Sequence, residues 1–142
     1  MTTSARRWIG GILAAIATYV GAWALAAPAN WWVSFPGAGR HWLPMFGPYN
    51  EHLARDVGAL YLALAVLSVG AALRPADGYL VRVTGLAWLV FSVPHLIYHL
   101  GHLEHFTGAD KAGNVIGLSL SVVLGALLMI PARAPVRTTV TR

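Results

Sequence analysis

Residues 80–100 read LVRVTGLAWLVFSVPHLIYHL, and the fold depends on whether this stretch crosses a membrane. Its length is close to the roughly 20 residues that span a bilayer core of about 30 Å at a rise of about 1.5 Å per residue. Its central run, GLAWLVFSV, is apolar. Against this, it leads into PHLIYHLGHLEHF, residues 94–106, which carries His95, His99, His102 and His105. Imidazole is costly in hydrocarbon and uncommon in spans.

The rest of the chain decides for the membrane. Of its 142 residues, 57% are hydrophobic and only 11% charged, with a mean hydropathy of +0.62. A water-soluble domain carries about 25% charged residues. Three more apolar runs are visible: Trp8 to Ala27 ended by Pro28, Val57 to Leu73 ended by Arg74 and Pro75, and Gly113 to Ile130 closed by Pro131. Backbone polar groups in lipid must be satisfied within the segment, so each run is expected to be a helix. The reading is therefore all-α: an integral membrane four-helix bundle, one domain over residues 1–132, with a long aromatic outer loop between the first two spans. The spans fall at about 8–27, 57–73, 80–100 and 113–130, and residues 133–142 form a basic cytoplasmic tail.

The first run also has signal-peptide features, with Arg6 and Arg7 ahead of it and Ala24-Leu25-Ala26 at its end. Its apolar stretch exceeds the roughly 7–15 residues of such a region, which favours a span. The chain has no cysteine, which excludes disulfides, thiolate metal sites and thiol redox chemistry. The formal charge of +5 sits as single and paired basic residues at the edges of apolar runs. That is topology information, and it points to the lipid bilayer as partner and not to nucleic acid. No P-loop, dinucleotide fingerprint, nucleophile elbow or zinc-protease motif is present, and enzymatic activity stays open.

With the N-terminus inside, the inner segments hold Arg6, Arg7, Arg74, Arg82, Arg133, Arg137 and Arg142, and the outer ones only Arg40, Arg55 and Lys111. The positive-inside rule then puts both termini on the cytoplasmic side of a bacterial cytoplasmic membrane. All six histidines and four of the five acids map to the outer end, leaving only Asp77 inside.

On a helix, His95, His99 and His102 fall within an arc of about 60°. Pro94 precedes them and frees the carbonyl of Val90, favouring a kink. The facing polar cluster is PYNEHLARD, residues 48–56, where Asn50 is a candidate N-cap and Glu51–Arg55 and His52–Asp56 are i,i+4 pairs. Short connections among the last three spans are expected to bring His52 and Asp56 toward the histidine stripe.

Imidazole and carboxylate suit zinc, copper and iron, and haem b held by two histidines is a further candidate. The metal or cofactor ligands expected are His95, His99, His102 and His52, with Glu51, Arg55, Asp56, Glu104, His105 and His41 around them. Two other readings stand beside this one. The cluster could be a metal-free site that binds a small molecule or transfers protons, or a purely structural interfacial network. A non-enzymatic accessory or assembly subunit of a larger membrane complex is the main alternative to the metal reading. It draws on Gly113, Gly117, Ser121 and Gly125, a small-residue stripe suited to packing within the bundle or in a homo-oligomer. In the loop, Trp31, Trp32, Phe35, Trp42 and Phe46 read as an interfacial aromatic anchor, with a lid, Arg40 and His41 reaching in, as the alternative.

The run FPGAGRHWLPMFGPYNEHLARDVGALYLALAVL, with PHLIYHLGHLEHF after it, resembles small uncharacterised bacterial four-span proteins that are DoxX-like in general architecture. The resemblance covers about Phe35 to Leu124. It implies the four-span fold and carries no activity. The cysteine motifs of redox-active members of that wider class are missing.

Overall fold

The computed structural model describes residues 1–132; the tail expected at 133–142 lies outside them. Among the described residues five helices follow one another: α1 (Thr3–Ala26), α2 (Pro28–Ser34), α3 (Glu51–Leu73), α4 (Gly78–Leu100) and α5 (Gly108–Leu128). Short 3-10 turns at Leu43–Phe46 and Leu103–His105 lie in the two connections at the histidine end. The helices α1, α3, α4 and α5 are each long and apolar enough to cross a membrane, which makes this a multi-pass membrane protein. Large apolar side chains such as Val66, Leu73, Val90 and Ile116 are exposed on the outward faces. Lipid, not water, is the solvent that suits them.

Three of the four long helices start where the sequence supplies an acceptor; α5, after Thr107, has no side-chain cap. Thr2 accepts from the Ala5 N–H, Asn50 from Leu53, and Asp77 from Tyr79 and Leu80. These contacts satisfy N–H groups that the first helical turn leaves unpaired. Asn50 is thus the N-cap its sequence position suggests, and α1, α3 and α5 begin several residues ahead of their apolar runs. Helix α4 continues through Pro94.

The bundle is built as two tight pairs. The most extensive helix interface joins α1 to α3, the next joins α4 to α5, and α3 meets α4 over a smaller area. Glycine allows the close approaches. A Cβ on Gly58 would lie 2.7 Å from the Leu25 backbone nitrogen, and one on Gly21 would lie 2.9 Å from the Gly58 carbonyl. Between α4 and α5, a Cβ on Gly85 would lie 2.7 Å from the Gly125 carbonyl. Small residues let helix backbones touch in lipid, where van der Waals packing drives association.

Three polar side chains in the shared core find partners. Trp88 Nε1 donates to Ser68 Oγ at 2.8 Å, Ser68 donates to the Leu64 carbonyl at 2.7 Å, and Thr84 donates to Leu80 at 2.8 Å. At the end that carries Met1, the N-terminal ammonium donates to the Pro131 carbonyl, and the buried Arg6 donates to Pro75 and Ile130. The N-terminus, the α3–α4 turn and the end of α5 therefore sit together. The histidines occupy the opposite end.

Candidate functional site

At the histidine end a cavity of about 560 Å³ lies between the two helix pairs. Its α1–α3 wall is Ile16, Tyr19, Val20, Leu53, Ala54, Val57 and Tyr61. The α4–α5 wall is Phe91, His95, Tyr98, His99, Gly113, Asn114, Gly117 and Ser121 with their apolar neighbours. The aromatic loop covers it with Trp31, Trp32, Phe35, Trp42, Leu43 and Phe46. No Lys, Arg, Asp or Glu is among the lining residues.

The histidine stripe divides at the end of α4. His95 and His99 line the cavity with ring centroids 4.7 Å apart, and His95 stacks on Phe91 at 5.3 Å. His102 does not join them, because α4 ends at Leu100 and the chain tightens. The His102 N–H bonds the His99 carbonyl at 3.0 Å, three residues back. That 3-10 closure carries the His102 ring off the helical stripe. It stacks on Tyr98 at 4.2 Å, and its Nδ1 contacts the Tyr98 carbonyl at 2.7 Å.

His105 lies beyond, 3.8 Å from Glu104. What gathers the histidines is Phe46. Its ring centroid lies 4.9 Å from that of His99, 5.6 Å from His105 and 6.4 Å from His102. Among the described residues, no three His, Asp or Glu side chains are grouped so that they could hold a metal ion.

The expected facing wall is displaced as well. His52 bonds Asp56 at 3.1 Å, but their side chains are 87% and 63% exposed and neither lines the cavity. Because α3 pairs with α1, its inward face at this level is Leu53, Ala54 and Val57. Glu51 and Arg55 pair at 2.8 Å, and Arg55 also donates to the Leu25 carbonyl at 2.6 Å, tying the start of α3 to the end of α1. His41 sits in the loop with Nδ1 donating to the Val33 carbonyl at 2.6 Å, away from the cavity.

The small-residue stripe of α5 is used inside the chain. Gly113, Gly117 and Ser121 line the cavity, and Gly125 packs on α4 against Trp88 and Gly85.

The loop is more than an anchor. Pro28 starts α2 directly after α1, and α2 buries Trp31 against Val20, Ala24 and Ala54. Arg40 and Trp42 both donate to Asp110 in the first turn of α5. A carboxylate at that position also suits the helix dipole. An aromatic chain runs from Trp31 through Phe35, Trp42 and Phe106 to Phe46. Asp110→Ala removes both ties. Amide exchange across residues 35–46 is expected to accelerate roughly fivefold, with the long helices unaffected. Hydrogen-exchange mass spectrometry checks this.

Three buried polar atoms on the cavity lining have no partner: Trp31 Nε1, His99 Nδ1 and Asn114 Oδ1. Their residues are 5%, 8% and 2% exposed. The Asn114 side chain lies close enough to His99 to interact with it, but neither His99 Nδ1 nor Asn114 Oδ1 makes a hydrogen bond of normal geometry. Each orphaned polar atom costs about 1–3 kcal/mol. Among the described residues, two further buried atoms, Arg6 Nε and Ser92 Oγ, are unpartnered away from the cavity, but only here do three face one shared space. Asn114, Trp31, Tyr61 and Phe46 are the site residues that histidine spacing does not reveal.

No family model, no curated protein and no solved structure matches this chain.

Proposed function

We propose that this protein binds a small, mostly apolar molecule in the cavity between its two helix pairs. The observation that carries the reading is the cavity itself, about 560 Å³ of aromatic-lined space with three unpartnered polar atoms on its wall. Ligand sites of roughly 300–1,000 Å³ with apolar linings and a few convergent polar groups follow the same pattern. The function needs no reaction: the walls select and hold the molecule. Pentylbenzene, offered to nanodiscs with and without the protein, is expected to concentrate in those with it. Equal partition contradicts the reading.

Zinc, copper, iron or haem b on His95, His99, His102 and His52 is not part of the proposal. His102 turns to Tyr98 and His52 to Asp56, so the four-histidine ligand set lacks geometric support. The accessory-subunit reading stands as the second proposal; of its α5 stripe, Gly125 packs on α4 within the chain, whereas a Cβ on Gly117 would meet nothing within 4 Å. The DoxX-like likeness enters only as a proposal about architecture.

We also place the histidine end on the outer face of a bacterial cytoplasmic membrane, with the N-terminus and the end of α5 inside. Support comes from Arg6, Arg7, Arg74 and Arg82, which belong to the end carrying Met1. The chain has no cysteine, so single thiols report sidedness cleanly. A membrane-impermeant maleimide is expected to label Thr107→Cys in intact cells and Thr3→Cys only after lysis. The reverse pattern overturns the orientation.

A further inference from the structure

The unpartnered atoms say what the occupant's polar end is, and this inference rests on the binding reading above. Trp31 Nε1 is an indole N–H and can only donate, whereas Asn114 Oδ1 is a carbonyl oxygen and can only accept. His99 Nδ1 does either, according to its tautomer. A hydrocarbon satisfies none of these atoms. A ketone, ether or ester offers acceptors alone and leaves Asn114 Oδ1 unpaired.

A hydroxyl both donates and accepts through one oxygen. It can donate to Asn114 while accepting from His99. An ionised head fits worst, because no charged side chain lines the cavity to balance it. We propose that the occupant is a neutral hydroxyl-bearing apolar molecule, a phenol or an alcohol, whose hydroxyl lies between Asn114 and His99. Its apolar body lies against Tyr61, Phe91 and Phe46, and the open space beside Gly117 receives its far end.

The test compares p-pentylphenol, p-pentylanisole and pentylbenzene, each partitioned between protein-containing and protein-free nanodiscs. The phenol is expected to be enriched about tenfold over the anisole, which keeps the oxygen and loses the donor. In Asn114→Leu that advantage falls to near parity, while pentylbenzene is still enriched and shows the cavity intact. His99→Phe, which keeps a ring and removes both nitrogens, gives the same fall and serves if Asn114→Leu does not fold.

Equal enrichment of all three compounds by the wild type overturns the hydroxyl assignment and leaves the binding reading standing. Enrichment of none overturns the binding reading itself. A full phenol advantage in both variants overturns the placement at Asn114 and His99.

Discussion

Gly58→Leu is expected to abolish the folded bundle. The added Cβ would meet the Leu25 backbone nitrogen at 2.7 Å and the Gly21 carbonyl at 3.0 Å. Backbone cannot rotate away as a side chain can, so α1 and α3 must separate. This is the largest helix interface in the protein, and it holds Leu13, Ala17, Leu64 and Ala65 in the core. Separation forfeits the close packing on which helix association in lipid depends. The expected loss exceeds about 4 kcal/mol, the range reserved for severe core defects. Thermal unfolding in detergent, followed by circular dichroism, should show no cooperative transition. Gly85→Leu repeats the experiment at the α4–α5 pair, where the Gly125 carbonyl lies 2.7 Å from the new Cβ. A variant of either kind that unfolds at the wild-type temperature would refute the two-pair construction.

Gly117→Leu is expected to do the opposite. It too lies within α5, but a Cβ there meets nothing within 4 Å, because Gly117 borders the cavity. Leucine also raises helix propensity by roughly 1 kcal/mol over glycine. The midpoint of unfolding should therefore hold or rise. The side chain fills space that the occupant would take, so ligand affinity should fall at least about tenfold, the effect of about 1.4 kcal/mol of lost contact. Stability and binding move in opposite directions, which distinguishes a blocked site from a damaged fold.

Much of this architecture is legible in the residues. Four apolar runs of sufficient length give four spans, and Asn50 ahead of Glu51 gives a helix start, because lipid and helix termini both impose strict local demands. The polar end of the bundle is legible for the same reason, since the histidines mark it. Which histidines face inward is not. The stripe of His95, His99 and His102 presumes an unbroken helix, and α4 stops at Leu100. Gly101 is the available signal, as glycine commonly follows a helix end.

Helix pairing is a non-local property. Gly21 and Gly58 lie in different helices and show their purpose only when the backbones meet, and that pairing turns His52 away from the cavity. Phe46 and Trp31 come from a loop whose path no periodicity encodes. The same is true of Asp110, whose role depends on Arg40 and Trp42 reaching it across the fold.

The central claim is that the space between the helix pairs holds an apolar molecule. Its most direct test is the partition of pentylbenzene into nanodiscs containing wild-type protein or Gly117→Leu, against empty nanodiscs. The account predicts enrichment by the wild type, and none by a Gly117→Leu protein that unfolds at or above the wild-type temperature. Enrichment by both proteins to the same degree would contradict it, as would enrichment by neither.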